Sequence, residues 1–200
     1  TSNPFVQGGC PSTGTYTNTW VARDICNNAS VVFTQVITII NTTPPTVPPD
    51  GMETVECLSL IILPTPPVVT DTCGNNIVPV MTENADPSCE GDKVYTFTYS
   101  TCTGYCSDWT YTFTIDHVTP PVEPADESST VDCVDAAIPP VLPVVVDVCG
   151  DTIIPVLVST IDDPMPLICE GTRTYTYEYT DCSGIPIDWT YTYDVQPGSQ

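Results

Sequence analysis

Eleven cysteines and one histidine carry the most distinctive chemistry of this 200-residue chain. Zinc sites use paired ligands such as C-x₂-C; no C-x₂-C pair exists here, and the closest cysteines are Cys102 and Cys106. Cysteines at recurring spacings with a single histidine point instead to disulfides, and so to an oxidising compartment. Nucleophilic catalysis needs an activated Ser or Cys beside a His. His117, just before Pro120, reads as an exposed linker side chain. The pair Asp162-Asp163 offers carboxylates for acid–base work, but it lies in a loop insertion with no sign of a pocket and reads as a solvated turn. No catalytic residue is expected and the chain does not read as an enzyme. The sharper alternative is calcium, which takes six to eight oxygen ligands. Asp116 with Glu123, Asp126 and Glu127, and Asp50 with Glu53, sit where calcium would stiffen joints between domains, and no other cofactor is expected.

The elements that hold these residues are strands. Tyr175, Tyr177 and Tyr179 alternate with threonines, as do Trp189, Tyr191, Tyr193 and Val195 with Thr190, Thr192 and Asp194. A period of two over two segments marks half-buried strands. Asp181-Cys182-Ser183-Gly184 between them is turn chemistry, so the pair reads as a hairpin. Its aromatic face goes to a core, which explains the stripe better than a carbohydrate platform does. The threonine face goes to water.

The hairpin recurs. Residues 89–115 repeat it with Cys89, Tyr95, Phe97, Tyr99, Cys102, Trp109, Tyr111 and Phe113, and residues 10–40 repeat it more loosely. Thr54-Val55-Glu56-Cys57 matches Thr130-Val131-Asp132-Cys133 at an offset of 76, as Asp71-Thr72-Cys73-Gly74 matches Asp147-Val148-Cys149-Gly150. A four-residue insertion near Ile161–Pro164 then moves the offset to 80. A repeat of this kind fixes the architecture. The expected domains are 1–43, the closing half of one repeat, then two complete repeats at 44–119 and 120–196, with the chain a piece of something longer. Within the last, strands are expected at Thr130–Asp135, Val141–Val148 and Thr152–Ser159 before the hairpin. Twenty-two prolines and 11 glycines leave no room for a long helix. The expected fold is all-β: tandem immunoglobulin-like β-sandwich repeats, stapled by disulfides, with proline-stiffened joints that make an extended rod.

Asp and Glu number 25 against 3 Lys and Arg, a net charge of −22. Nucleic acid, which needs cations to displace its counterions, is excluded as a partner. An anionic membrane surface is disfavoured, and no apolar run is long enough to insert as a helix.

Four cysteines per repeat allow three connectivities. Cys169 and Cys182 flank an extended strand and should stand ~30 Å or more apart, whereas a disulfide needs Cα atoms within ~7 Å. Cys149 and Cys182 both follow strand ends in Asp-containing turns and belong at one pole, with Cys133 and Cys169 at the other. The favoured pairing is therefore Cys133–Cys169 and Cys149–Cys182, with Cys57–Cys89 and Cys73–Cys102 in the middle repeat; sequential pairing stays open. Cys106 is odd, in a tight turn where the last repeat has Pro186. Cys10 and Cys26 are unpaired, joined to each other, or partnered outside the chain.

The stretch from Gly14 to Asn28, followed by Thr34–Pro45, resembles the hyalin-repeat family. The Cys-Glu-Gly…Thr-Asp-Cys…Trp-Thr-Tyr-Thr-Tyr hairpins resemble its four-cysteine, HYR-like variant, which recurs in giant Bacteroidetes surface proteins, SprB-type gliding adhesins exported by the type IX system among them. Cys106, the shortened first repeat and Asn27-Asn28 in place of Gly-Asn depart from that pattern. The resemblance implies an immunoglobulin-like fold, an extracellular place on a bacterial cell surface, and a structural or adhesive role in a stalk or filament. Its partners would be further repeats of the same polypeptide, surface glycans or other surface proteins. The alternative is a module binding glycan or protein through loops at one pole. Asp151-Thr152-Ile153 fits the O-glycosylation acceptor of such bacteria, at Thr152, whereas the N-glycosylation patterns at Asn28 and Asn41 would be idle there.

Overall fold

The computed structural model describes residues 3–11 and 13–196. Its strands are β1 (Val6–Gln7), β2 (Gly14–Trp20), β3 (Phe33–Ile39), β4 (Gly51–Val55), β5 (Val69–Thr70), β6 (Asn76–Ile77), β7 (Val80–Glu83), β8 (Gly91–Ser100), β9 (Cys106–Ile115), β10 (Glu127–Val131), β11 (Val145–Val146), β12 (Thr152–Ile153), β13 (Val156–Asp163), β14 (Gly171–Thr180) and β15 (Pro186–Val195). Among the described residues the helical segments are two single 3₁₀ turns, Leu58–Leu60 and Val134–Ala136. The chain divides into two compact units: Thr1–Gly51 with Pro64–Asn84 and Val94–Tyr111, and Met52–Leu63 with Ala85–Lys93 and Thr112–Gln200.

The second unit contains β10–β15 whole. Its four-stranded sheet has the order β10-β15-β14-β13. β14 is antiparallel to both neighbours, and β10 runs parallel to β15, with Glu127 opposite Tyr191 and Val131 opposite Val195. A bulge between Leu157 and Ser159 shifts the β13 register. The two-stranded β11-β12 sheet forms the other layer, with Val145 opposite Ile153. Alternation puts Tyr175, Tyr177, Tyr179, Trp189, Tyr193 and Val195 inward against Val145, Ile153, Ala137 and Leu167. Two layers closing over one apolar core make an all-β, immunoglobulin-like sandwich.

Proline-rich segments complete this core chemically. They lack N–H donors but keep their carbonyls, and buried tyrosines and tryptophans need partners for their polar ends. The Tyr179 hydroxyl donates to the Pro143 carbonyl at 2.9 Å, the Trp189 indole N–H to Ala125 at 2.9 Å, and the Tyr175 hydroxyl to Ala137 at 2.8 Å. Burial raises the Tyr179 hydroxyl above its ordinary pKa, with the neighbouring Tyr177 adding to it.

The first unit uses the same devices. Its own sheet is β1-β2-β3, with β2 and β3 in register from Gly14 opposite Ile39 to Trp20 opposite Phe33. Trp20, Phe33 and Ile37 on one face of this hairpin are exposed, with no second layer over them among the described residues. Elsewhere in the unit Tyr99 is fully buried, its hydroxyl donating to the Pro67 carbonyl at 2.6 Å, and the Trp109 indole donates to the Pro49 carbonyl at 2.9 Å. The unit also holds the two-stranded β5-β6 sheet, with Val69 opposite Ile77, the counterpart of β11-β12. The four-stranded sheet β4-β9-β8-β7 has the strand order of β10-β15-β14-β13.

The hairpin strands lie where the alternation places them; the shorter strands do not. The segment Val141–Val148 keeps only β11 in a ladder, since Pro139, Pro140 and Pro143 cannot donate to one. Thr130–Asp135 is split between β10 and the 3₁₀ turn Val134–Ala136. Thr152–Ser159 is broken at Pro155 into β12 and β13, and β13 runs on to Asp163. Asp162-Asp163 is thus strand, not a solvated loop. Asp162 accepts a two-pronged contact from Arg173, Nε to Oδ1 at 2.7 Å and Nη2 to Oδ2 at 2.9 Å.

The Arg173 hydrogen bonds hold the Asp162 carboxyl below its usual range, against the opposing effect of burial. A carboxyl whose pKa is lower folded than unfolded stabilises above the unfolded value, about 3.9, and loses that contribution as pH falls through the folded value. Asp162→Asn is therefore expected to cost about 1 kcal/mol at neutral pH. Urea unfolding at pH 7 should resolve that difference, and it should shrink steadily below pH ~3.9. A pH-independent difference would assign the effect to packing.

Candidate functional site

The cysteines are presented by a recurring five-residue turn. Asp71 Oδ1 accepts the N–H groups of Cys73 (2.8 Å) and Asn75 (2.9 Å), and Asp147 Oδ1 accepts those of Cys149 (2.8 Å) and Asp151 (2.9 Å). Asp181 Oδ1 does the same for Ser183 and Ile185, and Asp24 Oδ1 for Cys26 and Asn28. Each turn needs a left-handed residue three places after the acid. Gly74, Gly150 and Gly184 supply it, and Asn27, at φ 69°, replaces glycine in the first turn. Thr101 stands in for the acid before Cys102, its Oγ1 accepting the Tyr105 N–H at 3.1 Å. The Asn28 side-chain and backbone hydrogen bonds keep Asp24 below its ordinary pKa.

In the second unit these turns face two further cysteines. Cys57, which opens the Leu58–Leu60 turn, is bonded to Cys149 with Cα atoms 5.5 Å apart, and Cys89, just before β8, is bonded to Cys182 at 5.8 Å. His117 lies between the two bridges, 7% exposed. Its Nε2 is 3.2 Å from Cys149 Sγ, and its Nδ1 is 3.3 Å from Cys182 Sγ and 4.0 Å from Cys89 Sγ. The His117 backbone N–H donates to Glu90 Oε1 at 3.3 Å. Thr119 Oγ1 donates to Glu56 Oε1 at 2.8 Å, and the Asp116 N–H to the Val55 carbonyl at 3.0 Å. A cleft of about 480 Å³ at this place is lined by Leu58, Pro87, His117, Asp151 and the bridged cysteines.

In the first unit Cys10 is bonded to Cys102, Cα atoms 5.6 Å apart. Beside it Thr103 Oγ1 donates to the carbonyl of Asn41, itself 7% exposed.

This connectivity corrects the sequence reading. None of the expected pairs Cys57–Cys89, Cys73–Cys102, Cys133–Cys169 or Cys149–Cys182 is formed, nor are the sequential ones. Cys73, Cys133 and Cys169 are unbridged and exposed, with Cys26 and Cys106. The physical reason is that Cys57 and Cys89 lie within bonding distance of cysteines from the following repeat, Cys149 and Cys182, with Cα atoms 5.5 and 5.8 Å apart. Cys10 likewise has its partner inside the chain. His117 is corrected too: the two bridges bury a side chain that its place in the linker made look exposed. Cys106 begins β9, as Pro186 begins β15, and its Sγ lies 3.1 Å from Ser100 Oγ.

Two groups of metal-type ligands converge among the described residues: Cys57, His117, Cys149, and Cys89, His117, Cys182. Their sulfurs are held in disulfides and offer no thiolate, so the arrangement is a double cross-link around an imidazole. The acids considered for calcium belong to neither group. Asp126 accepts the Thr190 N–H at 2.8 Å, and Asp50 accepts the Thr110 N–H at 2.7 Å, so both act as edge caps for the returning strand of a hairpin. Thr152 is exposed on β12.

The motif of the HYR-like domain with 4 cysteines matches the chain twice, at residues 45–115 and 121–195. No curated protein is similar to it. Among solved structures, one described as "PcdhgB3 EC1-4 in 50 mM HEPES" is similar at 12% sequence identity over 94% of this chain, with a TM-score of 0.35. The chain spans 58% of that structure's length, and so loose a likeness carries no argument. The two tandem matches cover most of the 200 residues and hold all four bridged cysteines of the second unit, so the chain belongs to the family of HYR-like domains with four cysteines.

Proposed function

We propose that this chain is a load-bearing, adhesive repeat segment of a bacterial cell-surface protein: a stretch of stalk or filament in an adhesin of the gliding-motility type, exported by the type IX system. Its repeats are 44–119 and 120–196, with 1–43 the closing half of another, and its work is mechanical rather than catalytic. The observation that carries this reading is the pair of bridges Cys57–Cys149 and Cys89–Cys182, which tie residues 45–115 to residues 121–195 at two points. A ligand-binding or catalytic module gains nothing from a doubly bonded joint; a segment under tension gains a joint that cannot open by unfolding alone. Disulfides at this density belong to an oxidising, extracellular setting. The net charge of −22 keeps such segments apart from one another. Thr152, exposed on β12 within Asp151-Thr152-Ile153, would be the O-glycosylation acceptor in this setting.

A glycan array probed with the oxidised chain tests the reading against its alternative, a module recognising glycan through loops at one pole. The expected result is no saturable binding to any single sugar. Saturable binding that is lost on mutating one cluster of polar loops would transfer the function to that module.

A further inference from the structure

The three bridges obey one rule. Cys57, first of its four, bonds Cys149, second of the next four, and Cys89, third of its four, bonds Cys182, fourth of the next. Cys10 matches Cys89 by its place before the hairpin, and it bonds Cys102, the fourth cysteine of the repeat that follows. The sequence separations are 92, 92 and 93 residues. Applied to the rest, the rule places the partners of Cys26 and Cys73 before residue 1, and those of Cys133 and Cys169 beyond residue 200. Every cysteine whose rule-given partner lies inside the chain is bonded, and these four, which are not, are exposed. Only Cys106 stands outside the rule.

A second observation is independent of that count. The unbridged cysteines already hold the backbone geometry of the bridged ones. Cys133 opens a 3₁₀ turn at φ −153°, ψ 156°, as Cys57 does at φ −132°, ψ 143°. Cys169 precedes Gly171 at φ 140°, as Cys89 precedes Gly91 at φ 138°. Cys73 sits in its Asp71 turn with the same 2.8 and 2.9 Å hydrogen bonds that hold Cys149 in the Asp147 turn. The conformation does not depend on the bridge being made.

We infer that Cys133 and Cys169 together form a docking pair for another four-cysteine repeat, bonding its second and fourth cysteines, and that Cys73 and Cys26 are the complementary acceptors for a repeat on the other side. The partner is recognised by chemistry stated here: a thiol in an Asp-x-Cys-Gly turn and a thiol at the tip of the aromatic hairpin. Each bond forms by exchange with a disulfide oxidant such as oxidised glutathione. Two protein thiols give up two protons and two electrons, one S–S bond forms between them, the oxidant's S–S bond breaks, and two molecules of glutathione leave. The inference concerns connectivity and stands whether or not the segment is adhesive.

The test extends the full chain at its C-terminus with a second copy of residues 117–196, refolds it in a glutathione redox buffer and maps non-reduced peptides by mass spectrometry. The expected bonds are Cys133 to the copy's Cys149 and Cys169 to the copy's Cys182, each at near-full occupancy, with the three original bridges retained as the internal standard. Cys133 bonded to Cys169, or either left as a thiol while the original three form, would overturn the inference. Native alkylation of the unextended chain gives the second reading. Iodoacetamide should label Cys26, Cys73, Cys133 and Cys169, with Cys106, outside the rule, labelled as well, and spare the six bridged cysteines. A bond between any two of those four within one chain would overturn the inference equally.

Discussion

Unfolded by force from its two ends in oxidising buffer, the chain is expected to reach a contour length of about 140 Å, against about 700 Å after its disulfides are reduced. The load runs along residues 1–10, crosses to Cys102, returns to Cys89, crosses to Cys182 and leaves along the last residues. Everything between is bypassed, so only about 40 residues can be drawn out at up to ~3.6 Å each. Cys89→Ser removes the second crossing and should lengthen the unfolded contour to about 370 Å, while Cys57→Ser, off the shortest path, should leave it near 140 Å. Bridges closed within each repeat would instead give about 450 Å. Single-molecule force extension, with the exposed thiols alkylated first, reads these lengths directly, and a contour near 450 Å would sink both the cross-joint connectivity and the mechanical reading built on it. The same bridges act without force. Each closes a loop of 92 or 93 residues, which restricts the unfolded chain by about 4–5 kcal/mol in the loop-entropy account, less than additively because the loops overlap.

The repeat, the hairpins and the core face were legible in the sequence because all are local. Tyr175, Tyr177 and Tyr179 declare their face by alternation, and burial follows it residue for residue. The short strands were harder. Val141 to Val148 is apolar enough for a strand, but the nearby prolines supply carbonyls to the core rather than donors to a ladder, and only two residues pair. The disulfides were the least legible feature, and the reason is physical. The strand-length argument correctly forbids Cys169–Cys182, yet it says nothing about which poles touch, and four cysteines in one repeat invite closure within it. The available signal was Cys10. Its shortened repeat offers it only Cys26, and pairing it forward with Cys102 would have set the rule for Cys57 and Cys89. His117 was lost for the same reason, since its burial is made by two bridges that cross a joint.

Trp189→Ala is expected to destabilise residues 121–195 by about 3–5 kcal/mol, the usual cost of emptying a buried aromatic site. Trp189 is fully buried, its ring tilted against Tyr177 at 6.1 Å and Tyr191 at 5.8 Å between centroids. Its indole N–H is also the donor to Ala125 in the proline-rich segment leading into β10, so the substitution orphans a carbonyl as it opens a cavity. At roughly 4–8 °C per kcal/mol for a domain of this size, the melting temperature should fall by well over 10 °C. Asp188→Ala, one residue earlier on the same strand, faces water opposite Glu178 and should change stability by no more than about 0.5 kcal/mol in either direction. Calorimetry of both variants with the bridges intact separates packing from cross-linking. The bridges constrain the unfolded state in both variants alike, so the difference between them belongs to the core. A loss below about 1 kcal/mol for Trp189→Ala would mean that the aromatic stripe is not what holds the two layers together, and that the disulfides carry the fold as well as the load.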